Sequence, residues 1–165
     1  QASVIVDDDV AGEIGEGLLI LVAAGRHDVT APSAGSAGAS GQLHGEPGGT
    51  GARSLVRASA LAEKVANLRI FPDAEDKMNR SVIEAGGAVL VVSQFTLYGD
   101  CRKGRRPSWN EAAPPEQAEQ FYDRFIDLCR QRGIPTQSGV FQAMMQVSLT
   151  NSGPVTILLD SHKTF

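Results

Sequence analysis

The chain of 165 residues is poor in the side chains that usually carry metal and redox chemistry. It has two cysteines, Cys101 and Cys129, and three histidines, His27, His44 and His162. Two unpatterned cysteines make no disulfide framework, which fits a reducing compartment, and a cytoplasmic protein is expected. The histidines show no paired ligand spacing and none ends a core-like strand, so neither a metal site nor a Ser-His-Asp arrangement is expected. No cofactor is expected either. Gly12-Glu13-Ile14-Gly15-Glu16-Gly17 lacks the Lys-Ser or Lys-Thr of a phosphate loop, and its glutamates would repel phosphate. Positive charge is not in excess: the net charge is −4, so any binding of a polyanion has to come from a local patch. No apolar run is long enough to span a bilayer, so no membrane association is expected.

What the chain does have is an ordinary globular composition, 42% hydrophobic and 21% charged, at a length that suits one domain with one sizeable core. Ser3-Val4-Ile5-Val6 and the segment from Gly17 to Ala24 read as antiparallel strands, with Asp7-Asp8-Asp9, Gly12 and Gly15 as the turn region between them. His27 to Gly51 is dominated by Gly, Ala, Ser and Pro and reads as a flexible surface insertion with no assigned role. From Arg53 to Arg69, Leu55, Ala58, Leu61, Ala62, Val65 and Leu68 recur at intervals of three and four, the spacing of an amphipathic helix. Pro114-Pro115 opens a second such helix, with Ala118, Phe121, Tyr122, Phe125, Ile126, Leu128 and Cys129 on its apolar stripe and Gly133 near its end. Short elements are expected at Ile70-Phe71 and from Ser81 to Ala85.

The centre of the chain is Ala88-Val89-Leu90-Val91-Val92-Ser93-Gln94-Phe95-Thr96-Leu97-Tyr98, a buried strand that breaks without Gly or Pro into closely spaced polar side chains. A second stretch answers it: Met145 to Thr150 as a strand, Asn151-Ser152-Gly153-Pro154 as a tight turn, and Val155 to Leu159 as another strand. Thr136 to Phe141 completes the set. Strands outnumber helices and the last connections are short. The expected fold is therefore α+β, a mostly antiparallel sheet or partly closed β-barrel with two covering helices, in a single domain.

The residues leave several site readings open. Gly153-Pro154 permits a cis peptide and a close backbone approach to a ligand, or is an ordinary turn. Ser93 and Thr96 could serve a site or cap backbone groups, and Phe95, Phe141 and Met145 are individually well explained as core. Arg102-Lys103-Gly104-Arg105-Arg106, just past the strand end, either holds phosphates or is a solvated loop.

Ser93-Gln94-Phe95-Thr96 and Asn151-Ser152-Gly153-Pro154-Val155-Thr156 together resemble the two signature motifs of the D-aminoacyl-tRNA deacylases. The similarity extends to Gly12-Glu13-Ile14-Gly15, Leu61-Ala62-Glu63-Lys64, Leu68-Arg69-Ile70-Phe71, Lys77-Met78-Asn79, Ala112-Ala113-Pro114-Pro115 and Met145-Gln146-Val147-Ser148-Leu149, and so covers most of the chain outside the insertion. The resemblance implies a hydrolase of translation quality control. It would cleave the ester between a D-amino acid, or glycine, and the 3′-terminal adenosine of tRNA. It also implies a homodimer in which Gly153 and Pro154 of one subunit, joined in cis, reach the other's Ser93-Gln94-Phe95-Thr96. Ser93 and the backbone around Gln94 and Phe95 would then line the reacting centre, Phe95, Phe141 and Met145 would shape the adenosine end, and Asn151, Gly153 and Pro154 would lie on the amino-acid side. Of the two readings of the basic run, its place beside this site favours Arg102, Lys103, Arg105 and Arg106 on tRNA phosphates. Thr96 is the one side chain with a nucleophile's chemistry, but no general base is evident for it, so catalysis by backbone donors is preferred. The chain departs from the family pattern at three places. A further strand is usual upstream of the point matching Gln1, Gln142 stands where Gly is common, and the insertion is longer than usual. Two rival readings remain, a catalytically silent RNA-binding relative and a small-molecule esterase.

Overall fold

The computed structural model describes residues 1–29 and 50–163, and the side chains of all of these except 50–53 and 55. The chain starts with a hairpin, β1 (Ala2–Val6) against β2 (Asp9–Ile14), paired from Ala2↔Ile14 to Val6↔Asp9. Its turn is Asp7-Asp8, with φ of 48° and 69°; positive φ at both central residues is the geometry whose twist suits a two-residue hairpin. The expected turn region is thus only partly a turn. Gly12 sits inside β2, where an added Cβ would come within 2.9 Å of the Ser138 carbonyl oxygen, so its glycine serves close packing instead.

β3 (Gly17–Val22) follows, then a one-turn helix α1 (Arg26–Val29) and the long helix α2 (Thr50–Asn67). The ends of the expected insertion are therefore helical, and its middle, 30–49, lies outside the described residues. A small ladder, β4 (Phe71–Pro72) with β5 (Met78–Arg80), precedes the short helix α3 (Val82–Ala85), which Ser81 and Glu84 close with a reciprocal capping box. β6 (Ala88–Ser93) passes into a 3₁₀ turn, Phe95–Tyr98. Helix α4 (Pro115–Gln131), β7 (Thr136–Ser138) and β8 (Gln146–Leu149) complete the described elements.

β6 pairs in parallel with β3 on one side and β7 on the other. Parallel neighbours need crossover connections, and α2 and α4 lie in the two connections. Both helices cover one face of this sheet: Ala58, Ala62, Val65, Phe121, Phe125 and Cys129 pack with Val89 and Val91. The other face meets the antiparallel sheet β2-β1-β8, where Leu90 and Val92 pack with Val4 and Ile14. β6 is thus sealed on both faces, which is why its sequence is continuously apolar and does not alternate.

The α+β reading holds, with four α-helices among the described residues, antiparallel pairing in two of the three sheets, and no closure into a barrel. Two expectations are corrected. The segment from Gly17 pairs with β6 in parallel and not with β1. Val155 to Leu159 forms no strand, because it finds no strand edge to bond among the described residues, and Ile157 and Leu158 stand 48% and 70% exposed. No described helix is long and apolar enough to cross a membrane.

Candidate active site

The register Val22↔Ser93 and Val91↔Ser138 brings the carboxyl ends of β3, β6 and β7 to one edge of the parallel sheet. That edge is where parallel sheets open a crevice, since the connecting chains diverge there. Ser93 ends β6 and is half-buried. The Gln94 amide still donates to the Val22 carbonyl, at 2.8 Å, and the chain then coils: Leu97 N–H donates to Gln94 O at 3.1 Å and Gly99 N–H to Thr96 O at 2.9 Å. The amides of Phe95 and Thr96, at the start of this turn, meet no acceptor among the described residues, as expected for the first N–H groups of a helical turn. The Gln94 carboxamide contacts the Thr96 hydroxyl. No described carboxylate or imidazole bonds Thr96, so the structure supplies it with no base.

Phe95 is 59% exposed, and its ring meets Trp109 edge-on with centroids 5.8 Å apart. Trp109 was no part of the sequence-predicted site. The turn rests on the stretch 24–28: the Tyr98 hydroxyl donates to Asp28 Oδ2 at 3.1 Å, and a Cβ on Gly25 would fall 2.6 Å from that hydroxyl. Asp28 is 4% exposed. Burial alone would raise its pKa, but hydrogen bonds from the Gly25 amide, Arg57, Ser161 and His162 outweigh it and hold the carboxyl below its usual range. Burial, with the Asp28 charge beside it, pushes the Tyr98 phenol well above its usual value.

The loop after β7 is tied to β6 by Tyr122, whose hydroxyl lies 2.9 Å from the Val91 carbonyl and 3.2 Å from that of Gly139. Burial pushes this phenol up to about 12. Gly139 packs closely under Met145, since a Cβ there would come 2.6 Å from Met145 Sδ and the thioether would have to shift. Phe141 and Met145 are both half-buried but on opposite sides. Phe141 packs on the helical core, 5.8 Å from the Tyr122 ring, and Met145 packs on the core beneath the antiparallel sheet. Gln142 between them has φ 60°, in the left-handed region that favours glycine, which fits the Gly that the resemblance leads one to expect there. A shallow cleft beside it is lined by Pro114, Pro115, Glu116, Gln117 and Glu119.

The second motif is a separate object. The Gly153-Pro154 peptide is cis, Gly153 has φ 127°, and both residues are exposed. Asn151 braces them: its Oδ1 accepts from the Val155 amide at 3.2 Å and its Nδ2 donates to Thr156 Oγ1 at 3.2 Å. No described hydrogen bond joins this motif to Ser93–Thr96 of the same chain. In the basic run, Arg102 is paired with Asp100 through two side-chain bonds of 2.8 Å, and that pairing lowers the Asp100 carboxyl to about 2. Lys103, Arg105 and Arg106 are exposed and have no partner among the described residues. Those residues also include no group of three His, Cys, Asp or Glu side chains placed to hold a metal ion.

A sequence model of the family described as D-Tyr-tRNA(Tyr) deacylase matches residues 52–160. The D-aminoacyl-tRNA deacylase of Syntrophobacter fumaroxidans is 47% identical over all 165 residues, covering 94% of that protein. That of Symbiobacterium thermophilum is 48% identical over the same length, covering 93%. Among solved structures, the c-Myc DNA Unwinding Element Binding Protein superposes with a TM-score of 0.73 at 31% identity, over 96% of this chain and 91% of that one. A chain described as a probable eukaryotic D-amino acid tRNA deacylase gives 0.63 at 17% identity, over 89% and 87%, and speaks for the fold alone. With the motif-bearing turn at the mouth of the parallel sheet and relatives of this similarity spanning every residue, the chain belongs to the D-aminoacyl-tRNA deacylase family.

Proposed function

We propose that this chain hydrolyses the ester linking a D-amino acid, or glycine, to the 3′-terminal adenosine of tRNA, and so clears mischarged tRNA in the cytoplasm. The observation that carries the reading is the identity over all 165 residues with proteins named D-aminoacyl-tRNA deacylase. The site chemistry agrees with it. An aminoacyl ester is already activated, so a catalyst has chiefly to orient water and stabilise the oxyanion that forms when water adds to the carbonyl carbon. The unengaged amides of Phe95 and Thr96 are fixed donors of that kind. Collapse of the intermediate breaks the bond to the ribose 3′ oxygen, which leaves with a proton as the tRNA 3′-hydroxyl. The neighbouring 2′-hydroxyl is positioned to assist that transfer, and the free amino acid is the other product.

The active unit in this reading is a homodimer. Gly153 and Pro154 present a rigid, side-chain-free backbone to the Ser93–Thr96 turn of the partner, where it binds one enantiomer's amino group and excludes an L side chain. Supporting this are the exposure of the motif and the apolar Leu149, Ile157 and Leu158 standing open beside it. Lys103, Arg105 and Arg106 are free for tRNA phosphates, whereas Arg102 would have to leave Asp100 first. Phe141 and Met145 contribute to the adenosine end only through the edges their cores leave open.

The test is deacylation of matched D-tyrosyl-tRNA and L-tyrosyl-tRNA by the purified protein with EDTA present throughout. Rapid loss of the D-ester alone is expected. Binding of tRNA without cleavage of either ester would favour a nucleic-acid-binding role, the kind named for the c-Myc DNA Unwinding Element Binding Protein, and overturn the hydrolase. Equal cleavage of both esters would overturn the chiral wall.

A further inference from the structure

Asp28 is the most heavily committed carboxylate among the described residues, yet it lies outside both signature motifs. Its Oδ1 lies 2.9 Å from Arg57 Nη1, 3.0 Å from Ser161 Oγ and 3.2 Å from His162 Nε2; its Oδ2 accepts from the Gly25 amide at 2.8 Å and the Tyr98 hydroxyl at 3.1 Å. These partners come from four places in the sequence: the stretch after β3, helix α2, the 3₁₀ turn of the site, and the C-terminal segment that follows Gly153-Pro154. One buried acceptor therefore joins the two motif-bearing parts of the chain, which share no direct hydrogen bond among the described residues.

Tyr98 makes the link to the site specific. It closes the 3₁₀ turn that Phe95 and Thr96 open, so a shift of its ring rotates the turn carrying the two free amides. Its hydroxyl bonds Asp28 and no other described group. Gly25 leaves room for that hydroxyl and for nothing larger than hydrogen. The backbone beneath is clamped in turn, with Arg26 N–H donating to Glu111 O at 2.9 Å and Ala113 N–H to Ala24 O at 2.9 Å. A phenol fixed at its tip and a turn fixed at its root leave the Phe95 and Thr96 amides little freedom, as a site that works by preformed donors requires.

We propose that Asp28 is a positioning residue for the deacylase site, orienting the Phe95–Tyr98 turn through the Tyr98 hydroxyl, with Ser161 and His162 of the C-terminal segment holding the carboxylate in place. The inference rests on the hydrolase reading above. It predicts a defect in the chemical step and not in tRNA binding.

The decisive variant is Tyr98→Phe, which deletes one hydroxyl and keeps the ring. Wild type is measured first on D-tyrosyl-tRNA; if it fails to cleave, the function reading falls before this inference is reached. With wild type active, Tyr98→Phe is expected to slow single-turnover cleavage by about tenfold or more, as small misplacements of reacting groups do. Affinity for uncharged tRNA and the melting temperature should stay near those of wild type. A purely structural hydroxyl would do the reverse, lowering the melting temperature while the rate stays unchanged, and that result overturns the proposal. Asp28→Asn and the pair Ser161→Ala with His162→Ala test the rest of the path. Both are expected to slow the same step, and Asp28→Asn combined with Tyr98→Phe should be no slower than the worse single variant. Additive losses in that double variant would show that the carboxylate and the phenol act independently, and would overturn the positioning role.

Discussion

The two halves of the family signature are built in opposite ways. Ser93 to Tyr98 grows out of the best-buried strand of the protein. It is bonded to β3 through Gln94, and braced from below by Asp28 and Gly25. Asn151 to Leu159 is open to solvent for most of its length and is braced chiefly from within, by Asn151. Only near its end does it return to the body of the chain, through Leu159 on the helical core and Ser161 and His162 on Asp28. The first half is finished within one chain. The second packs little against the other described residues, and its Ile157 and Leu158 stand exposed. If the two halves serve one site, damage to each should read out very differently.

The sharpest way to break the contrast is Leu158→Glu. In the single chain this side chain is 70% exposed, so the fold should tolerate the charge. If the segment is covered by a second copy, an unpaired carboxylate in the interface should dissociate the dimer, with a loss of activity of about a hundredfold or more at dilute protein. Sedimentation and circular dichroism separate the cases: an unchanged mass with unchanged activity would show that nothing packs there. Next in size is Gly153→Ala. At φ 127° a Cβ is strained whatever the space, and it would also sit 3.1 Å from a Val155 methyl carbon. Cleavage of D-tyrosyl-tRNA should fall by about tenfold to a hundredfold while the melting temperature barely moves, because the motif lies outside both cores. Rates on the D-ester and on the L-ester that are both unchanged from wild type would remove this residue from the chiral wall.

Damage to the anchored half should read out as stability. Leu90→Ala opens a cavity between the two sheets at a fully buried position and should cost about 3 kcal/mol in chemical denaturation. A loss under about 1 kcal/mol would mean that the interlayer collapses freely around the missing side chain. Acid probes the brace beneath the turn. The folded Asp28 carboxyl titrates below its ordinary 3.8, so unfolding takes up a proton as the pH falls. Its contribution to stability is complete above pH 3.8 and is lost progressively below that value, as the pH falls through the folded pKa. Asp28→Asn should therefore be less stable at neutral pH and show a shallower acid limb. The limb should not vanish, because Asp73, Glu84 and Asp100 are also held low by their own hydrogen bonds. An acid limb identical to wild type would mean that the Asp28 bonds persist no better in the folded than in the unfolded chain.

How much of this was legible in the sequence follows the same division. Helices α2 and α4 declare themselves by apolar spacing, and β6 by an apolar run too short for a helix and without alternation. The Asp7-Asp8 turn was visible, but β2 was not, because its Gly12 looks like punctuation and is in fact a contact with β7. The parallel pairing of β3 was hidden because neighbouring strands in sequence usually pair, and the crossover passes through the compositionally weak stretch 30–49. Asp28 gave no signal at all: it is one acidic residue at the edge of a Gly, Ala and Ser-rich run, and its partners are 3, 29, 70, 133 and 134 residues away. The motifs pointed to candidate site residues, but only the folded structure separates the engaged Gln94 amide from the unengaged ones beside it, or places Phe141 and Met145 in different cores. Val155 to Leu159 has a strand's composition without a strand's partner among the described residues, so its pattern led to an element that does not form there.

The smallest expected effect is the most informative about mechanism. Thr96 is exposed, its hydroxyl contacts the Gln94 carboxamide, and no described group can take its proton. A nucleophilic threonine without a base would be a weak catalyst, whereas on the proposed mechanism the Thr96 amide would serve as a donor whatever side chain the residue carries. Thr96→Ala keeps that amide and should retain cleavage of D-tyrosyl-tRNA within about threefold of wild type, in single-turnover kinetics with tRNA affinity unchanged. Near-complete loss with intact binding would put the hydroxyl in the reaction path. It would also require a proton acceptor from outside the described residues, and the cis Gly153-Pro154 segment of a second copy, with its exposed backbone carbonyls, would become the first place to look.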